Sequence, residues 1–93
     1  SQCVPLSKVG IGVVLSKGTS GEVFVDEVLP GKPAHKYGMS ARDQILGVTS
    51  IPGSSFVPAE SSTLEELVDL IRGEEGTVVI LDVLRGEAPL QFQ

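Results

Sequence analysis

Ninety-three residues with a net charge of −5 and no tryptophan make one small domain, its single core built from Val, Leu and Ile. The acidic balance and the lack of any Lys/Arg cluster exclude a nucleic-acid partner, and no apolar run nears the ~18 residues of a membrane span. One cysteine, Cys3, and one histidine, His35, exclude an internal disulfide and a four-ligand zinc site made from them, so neither metal nor cofactor is expected. The chain opens on serine with no visible signal peptide and reads as a piece of something longer, residues 1–8 being a flexible N-terminal segment.

The first informative stretch is "KVGIGVVLSK", residues 8–17. Gly10 and Gly12 fit the start of a G-x-G-x-x-G dinucleotide turn, but Leu15 stands at the third glycine position. The residues that follow, Val13-Val14-Leu15, favour a strand over a helix N-terminus. That excludes the nucleotide reading. Gly18-Thr19-Ser20-Gly21 is a hairpin loop leading to "EVFVDEVL", where Val23 and Val25 share a face and Glu27 breaks the alternation. A bend or bulge is expected there. In "PGKPAHKYGM", Pro33 suits the first turn of a short helix and Gly38 its stop.

"QILGV" is a third strand, and residues 50–62 form the longest loop, anchored by Phe56 and Val57. "TLEELVDLIRG" is a helix: Leu64, Leu67, Val68 and Ile71 repeat at helical spacing, Ser62 or Thr63 caps it, and Gly73 ends it. "TVVILDVLRG" is apolar on both faces, so it belongs inside the sheet. "PLQFQ" closes the chain as a last strand after an Arg85-Gly86 turn. The order β-β-α-β-α-β-β describes a compact α+β domain.

No side chains here assemble for catalysis. Ser7-Lys8 and Ser16-Lys17 are sequence neighbours, which a strand points to opposite faces, so neither forms a nucleophile–base dyad. His35 falls on a short exposed helix. The pairs Asp26/Glu27, Glu65/Glu66 and Glu74/Glu75 diverge in strand, helix and turn, and read as solvated charges. By itself this chain is not an enzyme.

The glycines suit a different guest. A glycine-rich turn feeding a strand aims successive N–H groups at one point, a nest for an anion. With an apolar helix beside the strand, the fitting guest is a peptide ending in a carboxylate, added along the strand edge. Gly10-Ile11-Gly12-Val13 resembles the G-Φ-G-Φ carboxylate-binding loop of PDZ domains, and the resemblance runs from Val9 onward. It is nearest to the PDZ domain of carboxyl-terminal processing (tail-specific) serine proteases, through "VFVDEVLPGKPAHKYGM", "DQIL", "TLEELVDLIRGEEGT" and "LDVLRG". One departure is Ala41-Arg42-Asp43, where that family has Pro-Gly-Asp; arginine tolerates positive φ poorly, so this turn is expected to be built differently.

The resemblance implies a small, partly open barrel or sandwich of five to six strands with two helices. It also implies the protease-type circular permutation, in which the C-terminal strand, with Leu90 and Phe92 facing inward, completes the sheet. Gly10, Ile11, Gly12 and Val13 would hold the carboxylate, while Leu15, Thr63, Leu67 and Leu70 would line the peptide groove with Ile11 and Val13. Leu64, Val68 and Ile71 would be core. An apolar pocket with threonine at Thr63, where many PDZ domains carry histidine, implies small or medium apolar C-terminal residues as ligands. The expected partners are C-terminal peptides of substrate proteins, the isolated domain being a monomer. An attached protease domain would supply the catalytic serine and lysine in an extracytoplasmic compartment, periplasm or thylakoid lumen. The alternative is a non-proteolytic PDZ adaptor that binds partner C-termini.

Overall fold

The computed structural model describes residues 2–5 as backbone, and residues 11–51, 53, 55–72 and 78–93 in full. Among the described residues, seven strands and two helices follow one another as β1 (Gln2–Pro5), β2 (Val13–Lys17), β3 (Val23–Val28), α1 (Pro33–Lys36), β4 (Gln44–Ile51), β5 (Phe56–Pro58), α2 (Leu64–Arg72), β6 (Val78–Arg85) and β7 (Ala88–Phe92). All pairings are antiparallel, in the order β1-β2-β3-β4-β6-β7, with the short β5 added to β4. Two of the expected turn signals, Gly10 and Gly73, lie outside the described residues, as do Ser7, Lys8, Glu74 and Glu75.

Alternation fixes the core. Val13 and Leu15 of β2, Val23 and Val25 of β3, and Leu81 and Val83 of β6 turn to one side and are buried with Leu64, Leu67 and Ile71 of α2. The expected bulge is present: Val14 pairs with Glu27 but Leu15 pairs with Val25, leaving Asp26 as the extra residue. α1 opens on Pro33 and closes as the sequence predicts. Gly38, at φ +90, donates to the His35 carbonyl at 3.1 Å, and Met39 donates to the Ala34 carbonyl at 3.0 Å, the paired bonds of a Schellman stop.

β6 lies inside the sheet, between β4 and β7, as its two apolar faces require. The C-terminal strand pairs with β6 from Ala88↔Arg85 to Phe92↔Leu81, so the permuted closure is the one observed. Phe92 packs against the core half-buried, and Leu90, opposite Val83, is also half-buried. The hairpin turn is Gly86-Glu87 rather than Arg85-Gly86: Arg85 is the last paired residue, and Gly86 takes φ +61 at the first turn position.

Four other features depart from the sequence-based expectations. The stretch 50–62 is not one loop: β4 runs to Ile51, and Phe56 and Val57 pair with it in β5, Phe56 remaining exposed. Residues 2–5 form a strand on β2 rather than a segment outside the sheet, and Pro5 sits at its last position, where a missing donor costs the ladder least. The turn before β4 keeps the backbone that glycine would give, with Arg42 itself at φ +75. On α2 the fully buried stripe is Leu64, Leu67 and Ile71, while Val68 and Leu70 are half-buried against the core.

Candidate peptide-binding groove

The 29–34 segment holds the start of β2 from one side. The carbonyl oxygens of Ile11 and Gly12 accept hydrogen bonds from the amides of Ala34 (2.9 Å) and Leu29 (2.8 Å). In a trans peptide the C=O and the next N–H point opposite ways, so the amides of Gly12 and Val13 face away from the 29–34 segment. Because the Gly12 carbonyl points toward the residue after Val28, the Val13 N–H points to the other edge of β2, along which β1 lies.

Glycine at position 12 is required twice over. Its φ is +75, and a Cβ there would overlap the Cβ and Cγ of Lys32. What comes close to this glycine is thus the protein's own loop before α1, and that approach turns the amides outward.

α2 forms the facing wall. Thr63 caps it in a reciprocal box: its hydroxyl accepts from the Glu66 amide at 3.0 Å, and the Glu66 carboxylate accepts from the Thr63 amide at 2.9 Å. Those bonds from Thr63 hold the Glu66 carboxyl below its ordinary range. Of the two candidate caps it is Thr63 that serves; the Ser62 hydroxyl donates instead to the Pro58 carbonyl at 2.9 Å.

A lysine joins the two walls. Lys17, the last residue of β2, donates from Nζ to the carbonyls of Ala59 (3.2 Å), Glu60 (3.0 Å) and Ser62, spanning the turn that leads into α2. Sequence reasoning missed this contact, because a lysine ending a strand looks like an ordinary solvated charge. Only the fold brings residues 59–62 to it.

Among the predicted site residues, Val13, Leu15 and Leu67 are each 0% exposed and share one buried cluster, with Ile11 and Leu70 packed against it. Thr63 stays exposed at the helix start, and Gly10 lies outside the described residues. An apolar cavity of about 340 Å³ opens beyond Ile11, between α1, the end of α2 and the β6–β7 pair, lined in part by Tyr37, Met39, Ile71 and Phe92. Of the predicted residues that are described, only Ile11 lines it. Between β2 and α2 runs β1, paired with the one and approaching the other. Among the described residues no group of His, Cys, Asp and Glu side chains is placed to hold a metal, and no helix is long and apolar enough to cross a membrane.

A β2 edge beside an apolar helix, headed by Gly12 with the Gly12 and Val13 amides turned outward, is the arrangement that defines the class of this small domain. Residues 4–84 match the PDZ domain family, and the chain belongs to it. It is 37% identical over 76 residues to the carboxy-terminal processing protease CtpA of Bacillus subtilis, covering 82% of this chain and 15% of that protein. It is 35% identical over 78 residues to a probable CtpA-like serine protease of Staphylococcus haemolyticus, covering 84% of this chain and 14% of the relative. The crystal structure of the PDZ domain of a carboxy-terminal protease from Vibrio cholerae, in complex with peptide, superimposes with a TM-score of 0.70 at 30% identity, covering 89% of this chain and 85% of that one. The chain therefore spans about one-seventh of the length of these curated relatives.

Proposed function

We propose that this domain binds apolar C-terminal tails in the channel between β2 and α2, as the substrate-recognition domain of a carboxyl-terminal processing serine protease. The observation that carries this reading is the head of β2, where the Gly12 and Val13 amides turn away from the 29–34 segment while the edge of β2 takes an antiparallel strand. A peptide carboxylate at those amides would accept charge-assisted hydrogen bonds, and the preceding residues would pair along β2. Ile11, Val13, Leu15, Leu67 and Leu70 would surround the terminal side chain, with Thr63 at the far end of the channel. The Vibrio cholerae PDZ domain, similar in fold and solved in complex with peptide, supports peptide binding as the use of this fold. Cleavage would belong to a catalytic domain elsewhere in the protein, as the names of the two protease relatives suggest.

The test is a titration of one apolar-ended peptide as free acid and as C-terminal amide. The acid should bind with micromolar affinity, about −8 kcal/mol. Hydrogen bonds to a charged group are worth roughly 1.5–3 kcal/mol each. The amide should therefore bind at least about tenfold more weakly. Equal affinities would remove the carboxylate loop from this reading.

A further inference from the structure

The strand already lying on β2 has the geometry a bound tail would have. β1 runs antiparallel to β2 in the register Gln2↔Lys17, Cys3↔Ser16, Val4↔Leu15 and Pro5↔Val14, so its last residue stops one position short of Val13. It also approaches α2, the other wall of the channel. An added peptide strand would need the same edge of β2, with its C-terminal end at the same place. We propose that residues 2–5 are a built-in occupant of the peptide channel, so that an incoming tail binds by displacing the domain's own N-terminal strand. This rests on the peptide-binding reading of the β2–α2 channel.

The consequence is a competition. A tethered strand acts at a high effective concentration, and apparent affinity for an outside peptide falls by the fraction of chains whose channel is open. The described ladder holds four residue pairs and ends on a proline that has no donor, so exchange is feasible. Opening would also leave the β2 edge unpaired, a state that favours capture of another strand. The outcome is a channel that stays covered until a tail of sufficient affinity arrives.

Two variants test this. Cys3 faces Ser16 across the β1–β2 ladder, and directly opposed residues lie within disulfide reach, so S16C should form an intramolecular disulfide with Cys3 under mild oxidation. Failure of that disulfide to form in the folded monomer would overturn the docking of β1. The probe is a fluorescein-labelled peptide ending in Ala-Ala-Val with a free carboxylate, followed by anisotropy. Removing residues 1–5 should tighten its binding about tenfold, corresponding to a channel closed in roughly nine chains of ten. Oxidised S16C should lose binding, and reduction should restore it. Equal affinity in the full, truncated and oxidised chains would overturn the competition. If the full and truncated chains still prefer the free acid over the amide, the peptide-binding reading survives that result. If the disulfide forms but neither the full nor the truncated chain binds the probe, the peptide-binding reading falls, and the competition with it.

Discussion

Arg85, the last residue of β6, grips the buried carboxylate of Asp43 through two parallel bonds, Nε to Oδ1 at 2.8 Å and Nη2 to Oδ2 at 2.9 Å. The same Nη2 donates to the Gly38 carbonyl at 2.9 Å, and the Ser40 amide donates to Asp43 at 2.9 Å. One guanidinium thus ties the stop of α1 and the turn before β4 to the β6–β7 hairpin. Asp43 is 1% exposed, whereas the Arg85 side chain is 44% exposed, so the pair is anchored by its acid.

Burial alone would push the Asp43 carboxyl up, but the bonds from Arg85 and the Ser40 amide outweigh it and hold the group below its ordinary value of 3.8. A depressed folded pKa stabilises the fold above the unfolded value and is lost as pH falls through the folded one. Asp43→Asn should lower the thermal midpoint at neutral pH, and the gap to wild type should narrow as pH drops below about 4, where the unfolded-state carboxyl protonates. Leaving the charge paired with nothing should be worse than neutralising it. Arg85→Ala should therefore destabilise more than Asp43→Asn at neutral pH. Thermal unfolding of the three proteins across pH 2–7 checks both statements.

Arg42 holds a conformation that glycine holds more easily. At φ +75 an L side chain costs roughly 1–2 kcal/mol, partly offset because glycine has more freedom to lose on folding. The surrounding bonds, from the Arg42 amide to the Val25 carbonyl (2.6 Å) and from the Val25 amide to the Asp43 carbonyl (2.8 Å), use only backbone. Arg42→Gly should keep them and stabilise the domain by about 0.5–1 kcal/mol in urea unfolding. Arg42→Val should destabilise it, because a β-branched side chain tolerates this region worst.

Much of this fold was legible because the relevant signals are local. Pro33 and Gly38 bracket α1, the 64–71 spacing marks α2, and Glu27 marks the bulge, each through contacts within a few residues. The two-sided apolar pattern of β6 placed it inside the sheet for the same reason. What stayed hidden depends on long-range geometry. Lys17 meets residues 42 to 45 positions away, and Asp43 meets Arg85 42 positions away, distances at which spacing carries no signal. Leu67 and Val68 illustrate the middle ground: both suit the apolar face of α2, and tertiary packing buries Leu67 completely while Val68 stays half-buried. β1 was missed because Pro5 argues against a strand unless it falls at the end of one.

Lys17 predicts how firmly the two walls of the channel are joined. Its ammonium serves three carbonyls of the turn that leads into α2. Lys17→Met keeps the apolar stem and removes the donors, so the loss isolates the hydrogen bonds. Stability should fall by about 1–2 kcal/mol, less than the sum of three charged bonds because the carbonyls regain water. Hydrogen exchange should localise the change, with faster exchange at Ser62 and Leu67, whose amides donate to the carbonyls of Ala59 and Thr63 beside the clamp. Faster exchange spread evenly over β6 and β7 instead would mean that Lys17 supports the fold globally.

The permuted closure makes the strongest prediction about the two ends of the chain. β7 pairs with β6 along all five of its residues, and Phe92, opposite buried Leu81, packs onto the core. Deleting residues 88–93 would strip that ladder from one side of β6 and uncover Leu81 and Val83, which lie opposite Phe92 and Leu90. Burial of a large apolar side chain is worth roughly 1.5–3 kcal/mol. With the ladder lost as well, the domain should lose several kcal/mol, comparable to the ~5 kcal/mol total of a marginally stable small domain, and circular dichroism at 25 °C should show loss of the folded signal. Deleting residues 1–5 removes an equally edge-placed strand, but β1 is shorter and ends on a proline that donates nothing. Its loss should therefore cost much less in urea unfolding. Were the N-terminal deletion the more damaging of the two, β1 would be part of the fold's foundation, and the C-terminal strand would not be the one that completes the sheet.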